Sequence, residues 1–195
     1  KEERGLHLED SYGLSWEGAQ EEAKRCFNCG CLAVNPSDMA TALLASDAVI
    51  RTNLRTLGAQ ELLTSHTRIS DTLLKGELIL EIQIPWDAAG TISGYEKFRL
   101  RKSIDFAVVG LAYRYVLDDG VITDARMTLG AVAPVPMRRK KAEAYLIGRK
   151  PSGETALGAA KLALEGALPL SGNAYKIDVA ETLVRRSLDW SGKDE

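Results

Sequence analysis

Apolar and polar residues alternate most regularly in the C-terminal half, across FAVVGLAYRYVLDDGVITDARMTLGAVAP, residues 106–134. Successive side chains of a strand point to opposite faces, so Val109, Leu111, Tyr113, Tyr115 and Leu117 share one face. Val121, Thr123, Ala125 and Met127 match them across Asp118-Asp119-Gly120, a tight turn with glycine where φ must be positive. The pattern predicts an antiparallel hairpin, ended by Pro134 and Pro136. YEKFRL, before it, reads as a further strand. Three helices are predicted to follow, over 138–147, 155–168 and 175–188. In the last, Ile177, Ala180, Leu183, Val184 and Leu188 recur at helical spacing as a core-facing stripe. A small antiparallel sheet covered by helices is an α+β architecture.

Nearer the N-terminus the pattern has a shorter range. Residues 1–14 are polar, and a short helix is predicted over 16–25. NPSDMATALLASDA predicts another. Ser37 or Asp38 accepts from first-turn N–H groups, Met39, Ala42, Leu43 and Ala45 supply the apolar face, and Ser46 or Asp47 ends it. AVIRTN and ELILEIQIP read as strands, the second alternating Ile82 and Ile84 with Glu81 and Gln83 until Pro85 stops it. GAQELLTS between them reads as one or two helical turns. WDAAGTISG has the composition of a linker. The expected organisation is therefore a polar segment with a short helix at 1–25, a region at 26–88, and an α+β unit at 92–190.

Composition narrows the classes. A chain of 195 residues that is 45% hydrophobic can bury a substantial core. Net charge is -2 and the pI is near 5.8, with cations interspersed among acids except in Arg138-Arg139-Lys140-Lys141. That argues against a nucleic-acid binder, which would carry a basic stripe. The run itself reads as the solvated first turn of a helix, with a phosphate or other anion site as the alternative. No apolar run approaches the ~20 residues of a membrane helix. Lys1-Glu2-Glu3-Arg4 leads into no apolar stretch of the signal-peptide kind, so a cytoplasmic protein without a membrane span is expected.

Much familiar chemistry is missing. His7 and His66 are far apart, which leaves a histidine metal site or a catalytic triad without support. There is no dinucleotide fingerprint and no P-loop. Asp118 and Asp119 are explained by their turn. Cys26, Cys29 and Cys31 are the remaining lead, three thiols close enough to share one cation. Zinc and most iron–sulfur clusters want four protein ligands, so a fourth would have to come from Asp38, His66, another chain or a missing part of the protein. Free thiols, an iron–sulfur or zinc site, and a redox dithiol all remain open.

An ordered set of residues then becomes informative. It runs Asn35-Pro36-Ser37-Asp38, the Gly76-Glu77-Leu78-Ile79 strand ending in Ile84-Pro85, Lys97-Phe98, Arg101, Asp105 and Ala107. It continues through Leu129-Gly130 to Ala133-Pro134, then Arg138, Ala142, Glu143, Leu146 and Gly148. Over about residues 30–190 this set resembles the FAD-binding (medium) subunit of the molybdenum hydroxylases, the xanthine dehydrogenase and carbon monoxide dehydrogenase flavoprotein family. The resemblance implies a remnant of a FAD-binding domain at 26–88 and a CO dehydrogenase flavoprotein C-terminal-like domain at 92–190. It implies FAD, reduced by the iron–sulfur clusters of a partner subunit in a complex with a molybdopterin subunit, and oxidised by NAD or another acceptor. It places Asp38, with Ser37, at the ribityl or ribose region, Lys97 near the isoalloxazine, and Ile79 against the flavin.

The sequence also departs from that family. Neither glycine-rich loop that cradles the FAD pyrophosphate occurs, so the N-terminal half of the FAD-binding domain is expected to be missing. The chain alone is expected to bind FAD weakly or not at all. In its place stands GLSWEGAQEEAKRCFNCGC, similar to a cysteine region of glutamate synthase small-subunit-like oxidoreductases that takes part in iron–sulfur ligation. Two alternatives accompany the flavoprotein reading: a non-catalytic assembly module of such a complex, and a small metal or iron–sulfur protein. Apolar surface left by the missing half predicts a homo-oligomer.

Overall fold

The computed structural model of the protein describes residues 38–66, 69–85, 87–101 and 105–189. Ser37, the three cysteines and the helix expected over 16–25 lie outside the described residues. The described chain begins with α1 (Asp38–Ala45), β1 (Val49–Thr52), β2 (Thr56–Gly58), α2 (Ala59–Thr64), α3 (Ile69–Thr72) and β3 (Ile79–Gln83). The three strands make an antiparallel sheet in the order β2-β1-β3. A second antiparallel sheet follows in chain order, from β4 (Thr91–Phe98), β5 (Val109–Asp118), β6 (Val121–Gly130) and β7 (Met137–Arg138). The described elements end with α4 (Lys140–Leu146), α5 (Gly153–Ala163) and α6 (Tyr175–Ser187).

The expected hairpin is β5–β6. Its turn holds both Asp119 (φ 47°) and Gly120 (φ 74°) in the left-handed region, and Asp118 pairs with Val121. The facing set is corrected by a β-bulge: Val116 pairs with Asp124 but Leu117 pairs with Ile122, leaving Thr123 as the extra residue. An extra residue inverts the parity of the strand. Ile122 is therefore fully buried in place of Val121 and Thr123, while Ala125 and Met127 face inward as expected.

The four-stranded sheet has two covered faces. On one, Val109, Leu111, Tyr113, Tyr115, Met127 and Leu129 form a single core with residues of α4, α5 and α6, including Leu146, Ala159 and Val184. Tyr115 is fully buried there, and its hydroxyl is satisfied by Ser187 Oγ at 2.8 Å. The other face presents small residues, Gly110 and Ala112 of β5 and Gly130 of β6, and α1 packs across it. Gly130 is required by this approach, because a Cβ there would run into the Thr41 hydroxyl.

The buried stripe of α1 differs from the expected one. Ala40, Thr41, Leu44 and Ala45 are buried, whereas Met39 is 63% exposed. The helix serves two partners: Ala40 and Leu44 belong to the core of the three-stranded sheet with Ile50, Leu57 and Leu62, and Thr41 lies on Gly130. A polar residue pressed onto a glycine carries no hydrophobic signal, so the apolar pattern missed Ala40, Thr41 and Leu44, while Ala45 is buried as expected and Leu43 packs partly against the core.

Four further readings are corrected. Strand β4 begins at Thr91, inside the stretch with linker composition, and β2 and α3 had no clear pattern. β3 is exposed along its whole length rather than half-buried, with Ile79, Leu80 and Ile82 at 39%, 56% and 42% exposure, because it is an edge strand. α5 ends at Ala163, short of the expected Leu168. The basic run is not one solvated helical turn: Arg138 lies in β7, and α4 starts only at Lys140.

Candidate functional site

Two elements build the site. In β4 the alternation of side chains sends Tyr95 and Lys97 to the same face, the one that α1 crosses, and Glu96 to the other. Asp38 is the first residue of α1, where free N–H groups and the helix dipole favour a carboxylate. Its Oδ1 accepts from the Tyr95 hydroxyl at 2.7 Å and its Oδ2 from Lys97 Nζ at 2.6 Å. Lys97 Nζ also donates to the Asp105 carbonyl oxygen at 2.9 Å. An ammonium has three N–H groups, so one remains for a ligand. The Lys97 side chain is 22% exposed and that of Asp38 38%, which leaves the pair reachable from solvent.

The surroundings hold these groups in place. Asp105 is tied by Arg101, which donates its backbone N–H at 2.9 Å and its guanidinium at 3.2 Å. Those two bonds, the side-chain one foremost, hold the Asp105 carboxyl below its ordinary range. The carbonyl that receives Lys97 is thus fixed by a short local network. Burial, then the hydrogen bond to Asp38, pushes the Tyr95 hydroxyl well above the ordinary phenol range, so it stays a donor. Room for that hydroxyl exists because residue 110 is glycine; a Cβ there would occupy its position.

Asp38 and Lys97, expected separately at the site, are therefore brought into direct contact. Ile79 stands on the other sheet, at the start of β3 opposite Thr52, and is partly exposed. Tyr95 was not singled out in the sequence, although its spacing of two from Lys97 within a strand was the signal for it.

Other candidate chemistry is explained structurally. The His66 ring nitrogen Nδ1 lies 3.3 Å from Thr72 Oγ1 on the surface. Among the described residues, no group of three or more His, Cys, Asp or Glu could hold a metal ion. Nor is any described helix long and apolar enough to cross a membrane. In the basic run, Arg138 is paired with Asp47 and Glu143, and Lys141 with Glu165, while Arg139 donates to the Glu165 carbonyl oxygen at 2.9 Å.

Comparison with known proteins places this geometry in context. Residues 93–191 match the family described as CO dehydrogenase flavoprotein C-terminal domain. The 6-hydroxypseudooxynicotine dehydrogenase complex subunit alpha of Paenarthrobacter nicotinovorans is 31% identical over 161 residues, covering 78% of this chain and 53% of that protein. The aldehyde oxidoreductase FAD-binding subunit PaoB of Escherichia coli (strain K12) is 36% identical over 126 residues, covering 60% of this chain and 37% of PaoB. A solved carbon monoxide dehydrogenase from Hydrogenophaga pseudoflava superposes with a TM-score of 0.71 at 30% identity, covering 80% of this chain and 56% of that one. The chain spans about half the length of the first of these relatives and of that solved chain.

Proposed function

The chain belongs to the CO dehydrogenase flavoprotein C-terminal domain family, and on that premise we propose that it forms part of the FAD-binding subunit of a molybdopterin-dependent hydroxylase. The observation that carries this reading is the Asp38–Lys97 pair, a fixed cation with a spare donor at a solvent-accessible edge. FAD, when bound, supplies the electron transfer, and the protein's part is to hold and tune it. Lys97 would stabilise negative charge on the flavin ring. Asp38 would fix Lys97 and face the ribityl chain with Ser37, and Ile79 would offer apolar surface to the ring.

A fixed cation beside a helix-start carboxylate supports the ring end of a flavin as the part bound. The sequence carries no glycine-rich phosphate cradle, so most of the affinity in this chain comes from the ring. In the assembled complex, the electrons would come from iron–sulfur clusters of a partner subunit next to a molybdopterin subunit. They would pass to NAD or another acceptor, in the cytoplasm. Flavin fluorescence titration tests the reading. Weak, saturable binding with similar affinity for riboflavin and FAD supports it; a sub-micromolar FAD complex overturns the ring-only assignment, and no binding of either favours an assembly role for this chain instead.

A second reading, an assembly module, draws on one observation: Leu80 of β3 and, just beyond its two ends, Leu78 and Ile84 are 56%, 65% and 63% exposed. Co-purification with partner subunits without flavin would favour it. Metal analysis of protein purified without oxygen tests the cysteine motif: stoichiometric zinc or iron supports a metal site at Cys26, Cys29 and Cys31, and a metal-free protein supports free thiols or a redox dithiol.

A further inference from the structure

We propose that Tyr95 is a positioning residue for Lys97, acting through the Asp38 carboxylate. The inference depends on the flavin reading only for what Lys97 faces. Among the described residues each oxygen of Asp38 has one partner, Tyr95 Oη at 2.7 Å and Lys97 Nζ at 2.6 Å, so the two bonds together fix the plane of the carboxylate. With Lys97 alone, a carboxylate that is 38% exposed is free to turn toward water and take the flexible lysine with it. The Tyr95 ring has only two side-chain torsions and starts from the same strand face as Lys97, so its hydroxyl is a rigid reference point for the other two groups.

Gly110 gives this arrangement a second, independent support. It pairs with Lys97 across β4 and β5, and a Cβ on it would occupy the site of the Tyr95 hydroxyl. Gly110→Ala therefore displaces the hydroxyl without altering Tyr95, and Tyr95→Phe removes the hydroxyl without altering the ring packing. Two different changes should produce the same effect on a third residue.

The test is trace acylation of the full chain with acetic anhydride, reading each lysine by mass spectrometry. Lys176, whose Nζ donates to the Ala131 carbonyl oxygen at 2.8 Å in another part of the fold, is the internal control. Acylation takes place on the small unprotonated fraction of each amine, and a lysine released from the Asp38 carboxylate presents its nitrogen to the reagent more often. Tyr95→Phe and Gly110→Ala are each expected to raise Lys97 labelling about three- to tenfold with Lys176 unchanged. Asp38→Asn sets the upper limit, and adding Tyr95→Phe to it is expected to change nothing further. Unchanged Lys97 labelling in Tyr95→Phe overturns the proposal, as does a parallel rise at Lys176, which reports general loosening. A riboflavin titration of the same proteins separates the two ideas: if Lys97 labelling responds and no protein binds flavin, the positioning role stands and the flavin reading fails.

Discussion

Asp38 and Lys97 lie 59 positions apart in the chain and meet at 2.6 Å, because α1 runs across the four-stranded sheet instead of along it. The other end of the helix is held in the same way. Asp47, just past α1, accepts from Arg126 of β6 and from Arg138 of β7, each at 2.5 Å. The length suits the job: a rise of ~1.5 Å per residue carries the seven steps from Asp38 to Ala45 roughly 10 Å, close to the two strand spacings of ~4.8 Å from β4 to β6. One short helix is thereby pinned at β4 and at β6–β7, and it delivers a carboxylate to the candidate site.

The Asp47 end is expected to matter modestly for stability. Its side chain is 42% exposed, and Arg126 and Arg138 keep Asp124 and Glu143 as partners when it is lost. Asp47→Ala is therefore expected to cost about 1 kcal/mol or less in urea unfolding. A loss of several kcal/mol would show that this end of the helix is far more tightly coupled to the sheet.

Close approach of α1 to β6 makes a sharper prediction. Gly130→Ala pushes a methyl into the Thr41 hydroxyl and is expected to destabilise the protein by about 1–3 kcal/mol. Thr41→Ala in the same chain opens space and should recover part of that loss, giving a non-additive double-mutant cycle. Additive effects would contradict the contact.

Acid sensitivity should trace in part to Glu77. Its side chain is fully enclosed and accepts from Arg55 Nε at 2.9 Å, from Leu74 N at 2.7 Å and from Thr52 Oγ1 at 2.8 Å. The Arg55 bond first, then the Leu74 backbone, hold its carboxyl down at about 2 from an ordinary 4.5. A depressed carboxylate contributes stability that is full above its unfolded pKa and is lost as pH falls through the folded one. Stability should therefore decline between about pH 4.5 and about pH 2, and the decline should be shallower in Glu77→Gln. Equal slopes for the two proteins, measured by thermal melts across that range, would exclude Glu77 as a source.

Among the described residues the outer edge of β3 is unpaired, which predicts self-association of the isolated chain. Apolar edge strands with free backbone groups invite pairing, and a charge on the strand discourages it. Leu80→Lys is expected to shift light-scattering mass toward the monomer. A clean monomer in the unmodified chain at high concentration would contradict the expectation.

Much of this was readable before the structure, and the failures have physical causes. The β5–β6 hairpin followed from alternation and from Asp119-Gly120, but the bulge at Thr123 changed parity in a way that alternation cannot signal. Asp38 and Lys97 stand out in the sequence only through resemblance. Their contact does not, since it depends on how α1 crosses the sheet. Tyr95 went unnoticed because a tyrosine in a strand reads as packing until its partner is known. Arg138 was assigned to a helix, yet it pairs in β7 and holds Asp47, a tertiary contact that outweighs local helix preference.

The most direct test of the account compares riboflavin binding to the unmodified chain and to Lys97→Met, followed by flavin fluorescence quenching with circular dichroism as the folding control. The account predicts weak, saturable quenching by the unmodified chain, reduced about tenfold or more in the variant, as loss of a charged hydrogen bond implies, with the fold intact. Identical quenching curves for the two folded proteins would contradict it, because the flavin would then bind without the cation that Asp38 and β4 hold in place.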